Sequence, residues 1–175
     1  ISLFVVPVQA GYLLGLLQVS APQQIGMTMG GNQLGVLFGA LGFRLLSGVS
    51  SPKKMFLAFL LAGLGGLMMA NAGSHGVVVV AVLINGLGIG LMLPTLLTVV
   101  MSYVDFHQRG GASGSFTAAI FAGEFVSPLV VLAMTSGQSS VLPTALSIVA
   151  VIQLLVAVTC LGLPRITNRS AVGGT

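Results

Sequence analysis

The sequence predicts an all-α membrane protein with six transmembrane helices, and three properties of its composition indicate this fold class. Hydrophobic residues make up 55% of the 175 residues and charged residues only 5%, and the mean hydropathy is +1.10. A soluble domain of this size carries about a quarter charged residues, so a soluble core could not accommodate these apolar side chains. The 25 glycines agree with this class, because small residues let helices pack closely in a bilayer.

Six apolar segments follow one another, and each approaches the length of about 20 residues that crosses the hydrocarbon core of a bilayer. They cover residues 2–19, 25–47, 55–71, 76–100, 111–135 and 141–163. The breaks between them are short and polar or turn-forming: SAPQQ, SSPKK, NAGSH, DFHQRGG and SGQSS. No break is long enough to hold a soluble domain. The predicted organisation is therefore one six-helix bundle over residues 1–163, followed by a tail at 164–175.

The basic residues are distributed asymmetrically, which predicts the orientation of the bundle. All six follow the second, fourth or sixth segment: Arg44, Lys53, Lys54, Arg109, Arg165 and Arg169. Because Lys and Arg are retained on the cytoplasmic side during insertion, we expect the start of the chain and its tail to lie in the cytoplasm. The net charge of +4 thus reports topology, and the scattered basic residues do not form a nucleic-acid-binding surface.

Enzyme chemistry and bound metals or cofactors are not expected. His75 and His107 lie in breaks on opposite sides of the predicted membrane, so they cannot share a metal ion. The glycines of NGLGIG (85–90) lie inside a span with no Lys-Ser/Thr after them, which indicates helix packing and not phosphate binding. GASG (111–114) resembles the serine motif of rhomboid proteases, but no histidine follows position 107 to activate Ser113.

A loop motif resembles a signature of the major facilitator superfamily. GALGFRLLSGVSSPKK (39–54) is similar to Gly-x-Leu-x-Asp-Arg followed by a basic cluster, which this family carries between the second and third helices of each half. The matching residues are Gly39, Leu41 and Arg44. Phe43 replaces the aspartate, and the basic pair is displaced to Lys53 and Lys54.

Two further motifs resemble signatures of the same family in the expected order. NGLGIGLMLP (85–94) is similar to the glycine-rich signature of the fourth and tenth helices. GEFVSPLVV (123–131) resembles the Gly-x-x-x-Gly-Pro signature of antiporters, with Ser127 in place of the second glycine. RGGASGSFTAAIFAGEFVSP (109–128) is similar to the start of helix eleven in drug-efflux members. The resemblance covers most of the chain.

This resemblance implies helices seven to twelve of a secondary active transporter in the plasma membrane, the inner membrane of a bacterium. The family fold pairs two six-helix bundles, each built of two inverted three-helix repeats, around a central substrate site. We therefore expect an N-terminal six-helix half to be missing, and expect proton-coupled efflux of small amphipathic or drug-like molecules by alternating access. Two alternatives stay open: an importer or facilitator of a polar solute on the same fold, and a truncated six-helix membrane protein without transport activity.

Glu124 is the main candidate for proton or substrate binding. It lies about 13 residues into the fifth span, where a carboxylate in contact with lipid is penalised by about 3 kcal/mol. Such a residue should face a watery cavity or be protonated. It could alternatively be a permanently protonated structural acid, or pair with an arginine of the missing half.

Helical spacing adds further candidates for the cavity. The fifth span places Ser113, Thr117, Phe121, Glu124 and Ser127 along one stripe. The other spans contribute Gln9, Tyr12, Asn32, Gln33, Asn85 and Met92. For Asn32, Gln33 and Asn85, hydrogen bonding between helices is an equally good interpretation.

Several residues are candidates for gating. They are the loop-motif residues Gly39, Arg44, Lys53 and Lys54, the helix-bending pair Gly123 and Pro128, and Pro94 and Arg109. Proline inside a helix frees a carbonyl one turn earlier and bends the helix, so each proline marks a hinge or a static kink. Arg44 and Arg109 anchor helix ends at the headgroups or form salt bridges between domains.

Overall fold

The computed structural model describes residues 2–162, and this part of the chain consists of helices with short connections and no strand. The helices are α1 Ser2–Leu16, α2 Pro22–Leu45, α3 Ser51–Ala70, α4 His75–Ser102, α5 Arg109–Thr135 and α6 Leu142–Leu161, with 3-10 turns at Phe106–Gln108 and Ser139–Val141. The all-α class and the order of six helices are confirmed. The predicted tail, with Arg165 and Arg169, lies outside the described residues.

Four helices begin inside the predicted breaks, and α2 and α3 do so by the most residues. The helix α2 starts at Pro22 and α3 starts at Ser51, so the polar ends of SAPQQ and SSPKK belong to first helical turns. Proline is suited to these positions, because its fixed φ matches a helix and its missing N–H would be unpaired there anyway. The pair Lys53 and Lys54 therefore lies on α3 and not in a loop.

Four of the six helices are long and apolar enough to cross a membrane: α3, α4, α6, and α5 together with the 3-10 turn before it. These four identify the chain as a membrane protein. The helix α1 has 15 residues and spans about 22 Å, less than the roughly 30 Å hydrocarbon core. The helix α2 has 24 residues, but its glutamines, Thr28, Asn32 and Arg44 lower its hydropathy. The expectation of six spans is thus supported for four helices.

The helix α4 lies at the centre of the bundle. It packs against α2 on one side and α3 on the other, and α3 in turn packs against α6. The main core cluster joins α1, α3, α4 and α6 through fully buried side chains such as Leu14, Met69, Val82 and Leu146. The helix α5 contacts mainly α1. The protein therefore has a closely packed group of α2, α3, α4 and α6, to which α1 adds buried side chains of the main core, while α5 is attached mainly through α1.

Glycines bring α2 and α4 into backbone contact. A Cβ at Gly35 would overlap the carbonyl oxygen of Leu83, and a Cβ at Gly39 would overlap that of Leu87. From the other helix, Gly86 and Gly90 face the carbonyl oxygens of α2 in the same way. Only residues without a side chain fit such a contact, which is the small-residue packing of membrane helices. The packing interpretation of NGLGIG is confirmed.

Candidate functional site

A cleft of about 310 Å³ opens between α1, α2, α4 and α5. Its apolar wall consists of Pro7, Val8, Val36, Ile89 and Leu93. Three polar side chains complete the lining, namely Asn32, Gln33 and Glu124. The volume lies at the small end of the roughly 300–1,000 Å³ typical of ligand pockets. An apolar cleft with a few convergent polar groups is the usual form of a small-molecule site.

Glu124 is exposed on the wall of this cleft. It lies 15 residues after the start of α5 at Arg109, which corresponds to about 22 Å along the helix axis. No basic residue lines the cleft, and within residues 2–162 no ion pair involves this carboxyl group. Glu124 is therefore exposed on the cleft wall without a charged partner among residues 2–162.

Asn32 is 6% exposed at the edge of the cleft. Its Nδ2 donates a hydrogen bond to the carbonyl oxygen of Val82 on α4, at 3.0 Å. A carbonyl oxygen can only accept, so this bond fixes the orientation of the amide. The Oδ1 atom of Asn32 therefore remains available as an acceptor, beside the second N–H of Nδ2. Gln33 is exposed beside it and no such bond fixes its amide.

Gln9 and Tyr12 lie in a separate pocket of about 250 Å³ between α1, the end of α5 and the start of α6. Pro128, Thr135 and Gln138 also line this second pocket. Its lining contains no charged residue. These two candidates on α1 are consequently not part of the cleft that holds Glu124.

Asn85 and Met92 are fully buried away from the cleft. The Nδ2 atom of Asn85 donates to the carbonyl oxygen of Ala62 on α3, at 3.0 Å, and Met92 packs in a second core cluster with Ala58 and Leu91. The hydrogen-bonding interpretation of Asn85 is confirmed. The side of α4 that meets the cleft carries Ile89 and Leu93 instead.

The residues predicted to form one stripe along α5 lie in different surroundings. Thr117 and Phe121 are exposed and do not line the cleft, whereas Ser127 is fully buried. At about 100° per residue, Phe121 and Ser127 point about 120° apart. Among the members of this stripe, only Glu124 lines the cleft.

Two candidate gating residues take part in helix packing. Gly39 lies in the contact between α2 and α4 described above. Lys54 is 6% exposed, and its Nζ lies 4.5 Å from the centroid of the Phe43 ring. This cation–π contact joins the end of α2 to the start of α3.

The other candidate gating residues lie at helix ends or inside helices. Arg44 is in the last turn of α2 and is exposed, as is Lys53 in the first turn of α3. Arg109 begins α5 and lies 5.7 Å from the Phe106 ring. Pro94 lies within α4, and Gly123 and Pro128 lie within α5, and both helices continue past their prolines. A cation near the start of a helix interacts unfavourably with the helix dipole. Helix stability therefore does not explain the positions of Lys53 and Arg109, which favours membrane topology as the explanation.

Sequence reasoning missed the apolar wall of the cleft and a polar contact at the opposite end of α2. Apolar residues carry no signal that separates a cleft wall from a core, so Val36 and Ile89 could not have been selected. The contact joins the Oγ1 atom of Thr28 to Nε2 of His75 at 3.1 Å, with the carbonyl oxygen of Gln24 also 3.1 Å from Nε2. It ties the start of α4 to α2.

The chain matches no protein-family model and no curated protein, and its fold matches no solved structure.

Proposed function

We propose that this chain is part of a secondary active transporter, which exports small amphipathic or drug-like molecules in exchange for protons. One observation carries the proposal: the acid in the apolar helix α5 lies on the wall of an apolar cleft, together with two amide side chains. A carboxyl group at such a position marks ion or substrate pathways in membrane proteins. Exchange of a proton for a substrate needs one group that both can reach, and Glu124 in an open cleft meets this requirement.

The helix contacts support the proposed architecture of two inverted three-helix repeats. Exchange of the two repeats would relate α1 to α4, α2 to α5 and α3 to α6. The contact between α2 and α4 then corresponds to the contact between α5 and α1, and the contact between α3 and α4 corresponds to that between α6 and α1. The contact between α1 and α2 corresponds to that between α4 and α5, and all six contacts occur. The agreement is in which helices touch and not in how extensively they do so, because α4 packs far more extensively against α2 and α3 than α1 packs against α5 and α6. The contacts of α1 with α3 and of α5 with α6 have at most a minor counterpart.

The charge distribution supports a cytoplasmic location for one end of the bundle. Arg44, Lys53 and Lys54 flank the connection between α2 and α3, and Arg109 follows the connection between α4 and α5. If each helix crosses the membrane once, these two connections share one face, which the retention of Lys and Arg assigns to the cytoplasm. We propose the inner membrane of a bacterium as the location. The second bundle of the family fold would then face the cleft.

The proposal is tested in proteoliposomes, with an amphipathic fluorescent dye and an imposed proton gradient. We expect Glu124→Gln to abolish gradient-driven dye movement, because the amide cannot exchange a proton, while insertion into the membrane is unchanged. Asp105→Asn is the matched control. It removes the other acid of the chain, which lies exposed between α4 and α5, and should leave transport unchanged.

Two outcomes would contradict this function. Undiminished transport by Glu124→Gln across a pH series would exclude this carboxyl group as the proton site. Equal dye movement with and without the proton gradient in the unmodified protein would indicate a facilitator.

A further inference from the structure

We propose that the cleft selects cations that carry N–H groups, such as arylalkylammonium ions, and that Asn32 is the residue that distinguishes them from quaternary ammonium ions. This inference rests on the proposed function, because it assigns a substrate class to the same cleft. It follows from the charge of the cleft, the orientation of one amide and the nature of the wall.

The charge of the cleft favours a cation. Glu124 contributes a negative charge when it is ionised, and none of the residues in the lining is basic. In the described chain the basic side chains lie at helix ends, on Arg44, Lys53, Lys54 and Arg109, and no ion pair joins them to Glu124. A carboxylate without a cationic partner attracts a cation. An anionic ligand would meet repulsion with nothing in the lining to offset it.

The orientation of Asn32 favours a ligand that donates hydrogen bonds. One N–H of its Nδ2 donates to the carbonyl oxygen of Val82, so the amide cannot exchange the positions of Oδ1 and Nδ2 without losing that bond. The Oδ1 atom therefore stays an acceptor. An ammonium ion with N–H groups can bond to both Oδ1 and the carboxylate of Glu124, whereas a quaternary ammonium ion has no N–H to offer. Gln33 can turn either way and does not discriminate.

The apolar wall favours an amphipathic cation over a small inorganic one. Pro7, Val8, Ile89 and Leu93 offer hydrocarbon contacts and no further oxygen ligands. The side chains of the lining offer oxygens only from Asn32, Gln33 and Glu124, fewer than the roughly six to eight oxygen ligands that Ca²⁺ takes. The wall suits the aromatic or alkyl body of an organic ammonium ion.

The test measures dissociation constants on the full chain in phosphatidylcholine nanodiscs, whose zwitterionic lipids do not concentrate cations. The probes are phenethylammonium, its N,N,N-trimethyl analogue and neutral 2-phenylethanol. We expect the N–H-bearing cation to bind about tenfold more tightly than the trimethyl analogue, as for one hydrogen bond to a charged group. The alcohol should bind most weakly.

Variants assign this selectivity to single residues. Asn32→Leu should reduce the ratio of the two dissociation constants from about tenfold to about one. Glu124→Gln should weaken the binding of both cations. Asn85→Leu is the matched control, because this buried amide makes the same 3.0 Å bond to a backbone carbonyl outside the cleft; it should retain the preference. Equal affinity of the two cations for the unmodified chain would overturn the inference whether or not any variant folds. A preference that persists in folded Asn32→Leu would also overturn it.

The outcomes separate this inference from the proposed function. If the chain prefers N–H-bearing cations but the complete transporter, with its second bundle, moves no dye along a proton gradient, the transport function is contradicted and the selectivity is supported. Gradient-driven transport with equal binding of the two cations would contradict the selectivity and support the transport function.

Discussion

The helices α4 and α5 have nearly the same length, 28 and 27 residues, yet they are packed very differently. In its most apolar window α4 is 56% buried, whereas α5 with the turn before it is 11% buried. Both helices are rich in glycine. Gly86, Gly88 and Gly90 of α4 each meet backbone of a neighbouring helix, while Gly110 and Gly114 of α5 face open space.

The difference teaches that glycine content alone does not fix a helix in a membrane bundle. Close packing needs small residues on both partners, and α2 and α3 supply them to α4 through Gly35, Gly39, Ala58 and Ala62. The helix α5 has no such partner within the described chain. Glu124 therefore lies on the least constrained helix, and the other side of its cleft is formed by the closely packed helices α2 and α4.

The largest expected effect comes from truncating a buried side chain of the closely packed group. Met69 on α3 is fully buried in the main core cluster, whereas Phe125 on α5 is 73% exposed. We expect Met69→Ala to lower the free energy of unfolding by about 2–5 kcal/mol through a cavity, and Phe125→Ala by less than about 0.5 kcal/mol. Reversible unfolding in bicelles would measure both. Similar losses would show that α5 is packed as closely as α3.

The next largest difference between α4 and α5 is expected when a closely packed glycine and an open glycine are each replaced by alanine. Gly90→Ala on α4 drives a Cβ into the carbonyl oxygen of Val36, and overpacking of this kind costs about 1–3 kcal/mol. Gly114→Ala on α5 meets open space and should stabilise the helix by up to about 1 kcal/mol. Midpoints of thermal unfolding should move in opposite directions. A shift of both in the same direction would contradict the comparison.

The two cation–π pairs provide a smaller contrast. Lys54 is buried against Phe43, while Arg109 faces the exposed ring of Phe106. Desolvation strengthens such contacts, so we expect Phe43→Leu to cost about 1–2 kcal/mol and Phe106→Leu about 0.5 kcal/mol or less. Unfolding midpoints at low and high salt would test this expectation. A larger loss of stability for Phe106→Leu than for Phe43→Leu would show that the exposed contact is the stronger one.

The smallest expected effect concerns a buried hydroxyl group on α5. Ser127 is fully buried, and its Oγ has no hydrogen-bond partner among residues 2–162. Removing an unpaired polar atom relieves its desolvation, so Ser127→Ala should be neutral or stabilising by less than about 1 kcal/mol. Chemical unfolding with Ser113→Ala as the half-exposed control would check this. A clear loss of stability would mean that the hydroxyl group has a partner in the native membrane.

Much of the fold was accessible from the sequence, because the pattern of apolar segments and breaks is local. The helix order and the packing role of NGLGIG follow from it. The site was accessible only in part. Glu124, Asn32 and Gln33 meet in one cleft, but Thr117, Phe121, Asn85 and Met92 lie elsewhere, because helical spacing gives relative directions along one helix and not the neighbours in those directions.

The sequence by itself indicated that this is a membrane protein, that it is helical and that one acid lies inside an apolar segment. Composition and segment length are sufficient for these three conclusions. The tertiary structure decided which candidates share a cleft, that Asn32 presents an acceptor, and that Phe43 pairs with Lys54. These properties depend on contacts between different helices, such as the 3.0 Å bond from Asn32 to Val82. The residue pattern within one segment does not specify such contacts, because they depend on how the helices pack against one another.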